Sequence, residues 1–438
     1  MKWLINRNFT LLSIGQAISN IGDFVYSTTL LIWVYSLGGS AAAVSGVLVA
    51  QYVPNFLVGP LAGVFVDRWN RLRTMLTSDL LRAAIALLPI FAPGELRIPV
   101  IYLSVFFLSS VACFFGPSRT GLIQVLVADE ELGQAASIGQ VGLSLAFVIG
   151  PALASPLYFL VGPITAVSIN AASYVVSAFC LWRIRVPAAD LSPSAMRART
   201  GELAQTETPG GLKAIVQELR IGFSFVFKTR VLLVITLLIL IAMFGGGMIN
   251  ALDIVFVKQR LHTSPDFYGY LTATSGAGML VGSICAGLLA KRIQARYMLV
   301  GSMILLGGFL VIYSLQTWFA LALVFSFLLS FTNGGLEVGV APLMMLNTPR
   351  HLMGRVMAVI NTTSSGASLI SIGLAGVLGS FIPVYLLLLI GGVLVALSGV
   401  FGWLALPAPA PATPEEISSV DGPLAVAVDI ERRDTVPL

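Results

Sequence analysis

Apolar runs of roughly 20 residues recur along the whole of this chain, and about that length is what an α-helix needs to cross the hydrocarbon core of a bilayer. Only 10% of the 438 residues are charged and 57% are hydrophobic. A water-soluble domain carries about 25% charged residues, so this chain has too little polar surface to cover itself in water. Ten-residue alternating segments, the mark of a membrane β-barrel, are missing from the pattern. The sequence therefore predicts an all-α membrane protein with twelve transmembrane helices in two pseudo-symmetric six-helix bundles. The first six spans are expected near 9–36, 42–66, 74–92, 98–127, 133–158 and 161–182. The second six are expected near 231–257, 266–290, 297–315, 318–346, 355–381 and 383–406.

The polar stretch between the halves carries Pro187, Pro193, Pro209 and the pair Gly210-Gly211, and reads as a linker over 183–230. Its last part places Leu212, Ile215, Val216, Leu219, Phe223 and Val226 on one helical face, which predicts an amphipathic helix lying along the membrane surface. The tail over 407–438 is rich in Pro and Ala and is expected to be disordered. The first span is longer than a cleaved signal and is expected to be retained. Twenty of the Lys and Arg residues fall in loops on one side and only Arg97, Lys258 and Arg260 on the other. By the bias of basic residues toward the cytoplasm, both termini and the linker are expected inside a cell membrane crossed many times.

Gly59 to Arg73 reads GPLAGVFVDRWNRLR. Gly59 and Gly63 make a smooth stripe on which a neighbouring helix can lie close. The charges Asp67, Arg68, Arg71 and Arg73 then cap a short loop. A weaker copy, SICAGLLAKRIQAR, places Ser283, Gly287, Lys291, Arg292 and Arg296 about half a chain later. The halves superpose with an offset near 224, which sets Gly63, Asp67 and Arg68 against Gly287, Lys291 and Arg292. In that register Asp23 faces Gly247, so Asn20 and Asp23 are not equivalents of Asn250 and Asp253. Such duplication is the plan of a membrane transporter.

Several segments together resemble the major facilitator superfamily, and within it the proton-driven efflux branch that includes drug, macrolide and siderophore exporters. ISNIGDFVYSTTLLIWVY is similar to that branch's first helix, and GPLAGVFVDRWNRLR to the signature loop after helix 2. SDLLRA and MGRVMAV resemble the starts of helices 3 and 11, and GPSRTGLIQVLVADEEL resembles helix 4 and the loop that follows it. The resemblance implies the major facilitator fold and alternating access of a central cavity. It implies that Asp67, with Gly59, Gly63, Arg68 and Arg71, forms a conformational latch between the inner ends of the halves. It also implies an exporter motif on the fifth helix, of which Gly150-Pro151 is present while Ala146, Ala154 and Ser155 stand where neighbouring glycines are usual.

The ionisable residues within spans are the candidates for chemistry, because a charge at bilayer depth is costly unless it faces water, is paired or carries a proton. Asp23 falls beyond the midplane and is either the proton-carrying acid, a partner for a cationic substrate, or a packing partner of Asn20 or a serine. Glu337, behind Asn333, Gly334 and Gly335, is the second proton-coupling candidate or a substrate contact, with a structural pairing as its rival reading. Asp253 is expected at the outer end of its span, as a gate-side salt bridge with Lys258 or a solvated charge ahead of a proton site. Arg119 is expected to pair with Asp129, Glu130 or Glu131, or with an acid in the cavity. Asp79 and Arg82, three apart, predict a local structural ion pair. Asn20, Tyr26, Gln51 and Asn333 are cavity candidates, and Trp33 and Tyr52 read as packing or interface aromatics.

No nucleotide loop, metal-ligand set or nucleophile–histidine pair occurs, so the sequence predicts no enzyme, no metal and no cofactor. Cys113, Cys180 and Cys285 all lie in apolar runs and suggest no disulfide framework. The expected function is export of an amphipathic small molecule by proton antiport. The alternative is an importer or facilitator of a metabolite or lysolipid on the same fold. The expected partners are a small-molecule substrate, protons and the bilayer, with no nucleic acid, and a monomeric state.

Overall fold

In a computed structural model, residues 5–66, 69–186, 212–290, 292–349 and 352–406 are described. Every regular element among them is helical. The first set comprises α1 (Arg7–Gly38), α2 (Ala41–Leu57), α3 (Gly59–Val66), α4 (Arg71–Ala86), α5 (Leu88–Phe91), α6 (Arg97–Leu126), α7 (Leu132–Val161) and α8 (Pro163–Trp182). After the linker come α9 (Leu212–Lys228), α10 (Arg230–Gln259), α11 (Tyr268–Leu289), α12 (Ala295–Leu315), α13 (Phe319–Asn347), α14 (Met353–Leu378) and α15 (Val384–Ala405). Ten helical segments are long and apolar enough to cross a membrane. The other two expected positions are α1, diluted by its own polar residues, and α2, whose 17 residues stop at Val58 and continue as α3.

Local chemistry sets the boundaries. The Asn6 side chain accepts the Phe9 N–H at 2.9 Å and starts α1. Gly39, at φ 61°, ends it with its N–H on the Tyr35 carbonyl. Ser40 and Asn70 cap α2 and α4 in the same manner as Asn6. Gly162 at φ 87° followed by Pro163 turns the chain from α7 into α8. In the second set, Gly278 and Gly282 let α11 lie on α13: a Cβ at Gly282 would stand 2.1 Å from the Phe331 carbonyl oxygen. Gly282→Val should therefore lower stability by about 1–3 kcal/mol through overpacking. Thermal unfolding in detergent would check this, and an unchanged melting temperature would rule it out.

Odd-numbered turns of the chain, 38–40 and 260–267 among them, lie on one face; the start of α1 lies on the other, where Asn6 and Asn8 donate to the Leu126 and Arg185 carbonyls. These are called here the far face and the terminal face. The closest approaches between the two sets of helices gather toward the far face. A Cβ on Gly376 of α14 would stand 2.6 Å from the Ser45 Cβ of α2, and one on Gly379 would stand 3.0 Å from the Ala41 Cβ. On the opposite flank the Gly269 N–H of α11 donates to Ser155 Oγ of α7 at 3.0 Å. The far-face seam is thus closed.

Nothing lies within 4 Å of a Cβ built on Gly59, so no neighbour packs closely on that glycine in this conformation. The latch residues Asp67 and Arg68 and the second-half Lys291 lie outside the described residues, as do 187–211 of the linker and the tail from 407. The C-terminal part of α9 packs on α14. Val226 is buried with Val356 and Val359 of α14, and Gly222 lies directly against the Arg355 backbone.

Candidate functional site

A cavity of about 510 Å³ lies where the two sets meet. Its walls come from α1, α2, α4, α6, α7 and α8 on one side and from α10 and α11 on the other. Much of the surface is apolar, with Leu30, Leu48, Leu108 and Leu143 among its residues. Phe24 of α1 and Phe147 of α7 meet edge to face at 5.0 Å. The polar groups include Asn20, Asp23, Gln51 and Asn250, the hydroxyls of Tyr26, Tyr52 and Tyr174, and the guanidinium of Arg82.

These polar groups are organised around Asp23. The Tyr174 hydroxyl of α8 donates to Asp23 Oδ1. Gly22 lets α8 come this close, since a Cβ there would stand 2.3 Å from Ser173 Oγ and 2.6 Å from Asn170 Oδ1. From α4, Arg82 reaches into the same region. Its guanidinium lies 4.6 Å from the Tyr174 ring centroid and 4.3 Å from that of Phe115, so two aromatic faces fix its plane. The charge of Arg82 acts on both Asp23 and Asp79. Asp79, one turn before Arg82, is ion-paired with it and is 0% exposed, against 5% for Arg82.

Two carboxylates and one guanidinium therefore share a largely dry site. With both acids ionised, the cluster would carry one uncompensated negative charge, which burial makes expensive. One proton removes that charge. Asp79 is fully enclosed and already paired, whereas Asp23 lies on the cavity wall.

The structure brings together Asn20, Asp23, Tyr26 and Gln51, four of the residues named from sequence, in one cavity. Tyr26 is also tied down, its hydroxyl 3.0 Å from Ser104 Oγ. Trp33 is buried under Arg97, whose guanidinium lies 5.4 Å from its ring. Glu337 and Asn333 are not among the cavity's lining residues, and the Glu337 side chain is exposed. The fifth-helix motif faces two ways. Gly150 packs under Phe24 and Ile21 of α1, while Pro151 lines the cavity with its carbonyl against Gly269 of α11. Arg71 lays its guanidinium on Gly121 of α6.

The ion pair expected between Asp79 and Arg82 is present, and Arg82 also lines the cavity beside Asp23. Arg119 makes no ion pair with Glu130 or Glu131 and its guanidinium rests near Gly139 of α7, while the side chain of Asp129 lies outside the described residues. Asp253 is neither solvated nor bridged to Lys258. It is 7% exposed and accepts a hydrogen bond from the Tyr313 hydroxyl, while Lys258 is exposed. Sequence reasoning also missed Tyr174, Asn250, Tyr268 and Thr272 as cavity residues. The one available signal was the polar series Asn170, Ser173, Tyr174 and Ser177 in an otherwise apolar span.

Comparison with known proteins gives a consistent picture. The sequence profile of the family described as "Transmembrane secretion effector" matches residues 2–435. The uncharacterized MFS-type transporter YkuC of Bacillus subtilis (strain 168) is 24% identical over 412 residues, covering 92% of this chain and 93% of that one. Macrolide efflux protein A of Streptococcus pyogenes is 24% identical over 296 residues, 67% of this chain and 69% of that one. The putative bacilysin exporter BacE of Bacillus subtilis (strain 168) is 32% identical over 185 residues, 42% of this chain and 45% of its own length. Among solved structures, a bacterial homologue of the iron transporter ferroportin in its inward-facing state superposes with TM-score 0.66. It shares 17% identity, with 91% of this chain and 98% of that one covered. A peptide-bound POT family transporter gives TM-score 0.71 at 10% identity, covering 91% and 96%. At such identities these two likenesses concern the fold alone.

Proposed function

Because this chain belongs to the transmembrane secretion effector family of the major facilitator superfamily, a family of membrane transporters and not of enzymes, we propose that it exports amphipathic small molecules by proton antiport. The observation that carries the proposal is the Asp23–Arg82–Asp79 cluster, with two acids against one base and a single acid on the cavity wall. The relatives named for macrolide efflux and bacilysin export support the direction and the broad class of cargo.

The proposed cycle uses this chain's own groups. With the far face closed, as here, Asp23 gives its proton to water entering from the terminal face. The charged carboxylate, steadied by the Tyr174 hydroxyl and offset by Arg82, then favours a weakly cationic cargo among the leucines and phenylalanines of the cavity. The two helix sets rock until the far face opens. There a proton returns to Asp23, the attraction for cargo is lost, and cargo leaves. The terminal face is assigned to the cytoplasm on the distribution of basic residues.

The test is transport in inverted vesicles loaded with the purified chain. A pH gradient, acid inside, is expected to drive uptake of a fluorescent amphipathic amine, and collapse of the gradient by a protonophore is expected to stop it. Uptake that persists unchanged without any gradient would favour a facilitator over an antiporter.

A further inference from the structure

Asp253 is a buried acid of the second set that the cycle above does not use. It lies on α10 within the sealed far-face region, beside Leu252, whose side chain stands 2.9 Å from a Cβ built on Gly379 at the seam. Its Oδ1 accepts from Tyr313 of α12, and Tyr313 is itself held by Phe256 with ring centroids 4.9 Å apart. Among the described residues, the titratable groups facing it are Tyr313 and, from α11, Tyr268. Among the described residues, no Lys, Arg or His lies within ion-pairing distance of it. Arg260, near the same end, is turned onto the Tyr385 ring at 4.6 Å instead.

This is the reverse of the arrangement at Asp23. One phenol hydrogen bond does not offset the burial of a full negative charge with no cation, so the closed seam holds Asp253 as the neutral acid. The seam itself connects to this acid. Tyr268 lines the cavity, faces Asp253, and precedes Gly269, whose N–H is bonded across the seam to Ser155. Opening the far face breaks that crossing and lets water reach Tyr268 and the acid behind it.

We propose that Asp253 is a second proton-binding site that acts as the far-face gate. It takes a proton from far-face water before the seam can close and returns it to the same side when the seam opens. It presupposes the alternating-access cycle proposed above, but not the role given there to Asp23.

The test reads the far-face distance directly. Spin labels are placed at Leu37→Cys on the α1 end and Thr317→Cys after α12, in full-length protein with Cys113, Cys180 and Cys285 replaced by Ala. Distances are measured in lipid nanodiscs from about pH 5 to about pH 9, a range that spans ordinary and buried carboxyl titration. The short-distance, closed population is expected to grow as pH falls. Asp253→Asn should hold the closed distance at every pH, and Tyr313→Phe, which only removes the donor, should move the transition to higher pH. Asp23→Asn should leave the transition in place, which separates failure of the gate from failure of the antiport reading. A wild-type distance that does not respond to pH, or an Asp253→Asn variant that responds as wild type does, would overturn the proposal. Should Asp253→Asn fail to fold, an unshifted transition in Tyr313→Phe overturns it equally.

Discussion

Asp23→Asn is expected to abolish the part of export that depends on a pH gradient while leaving the folded protein intact. Asparagine keeps the size of the side chain and can still accept the Tyr174 hydroxyl hydrogen bond. What it cannot do is change charge. The cluster is then left with Asp79 against Arg82, a neutral pair, and no group on the cavity wall alternates between attracting and releasing a cation. Coupling between two sites is typically about 1–3 kcal/mol, or about 5–150-fold in affinity. Cargo affinity that varies with pH in the wild type should therefore lose a factor in that range and become flat in the variant. Binding of a fluorescent amphipathic amine, titrated at several pH values, checks the affinity; gradient-driven uptake in inverted vesicles checks the coupling. Undiminished gradient-driven uptake would take Asp23 out of the mechanism.

Arg82→Met should be the more damaging change to the fold. The methionine fills most of the volume between Phe115 and Tyr174 but removes the only base of the cluster. Asp79 is fully buried and would be left without its partner. Removing one member of a buried ion pair costs about 3–5 kcal/mol, because the remaining charge is neither paired nor hydrated. Removing both is far milder, so Asp79→Asn combined with Arg82→Met should recover most of the lost stability. Thermal unfolding in detergent of the two single variants and the double variant completes the cycle. A strictly additive double variant would show that the two side chains do not act together.

These two residues also mark how far the sequence could be read. The distance of Asp23 along its apolar run was enough to single it out, because depth in a bilayer is set by residue count at a fixed rise per residue. Arg82 was visible only as the partner of Asp79, three residues away on its own helix. That it also faces Asp23 depends on how α4 is rotated against α1 and α8, which Gly22 and the flanking aromatics decide. Asp253 failed for the opposite reason. Counting residues to the end of its span suggested a solvated position next to Lys258, but the far-face seam closes over that end and buries it.

The sequence by itself determined the helical membrane class, the limits of the spans to within a few residues, and the family, because each follows from local quantities: run length, caps, charge in loops and contiguous motifs. Only the tertiary structure decided which polar groups share the cavity, that Glu337 and Asn333 do not line it, that the far face is the closed one, and which acids have a base beside them. Those outcomes depend on helix rotation and on contacts between residues more than a hundred positions apart, such as Tyr174 with Asp23, and an apolar periodicity that is nearly uniform around each helix does not encode them.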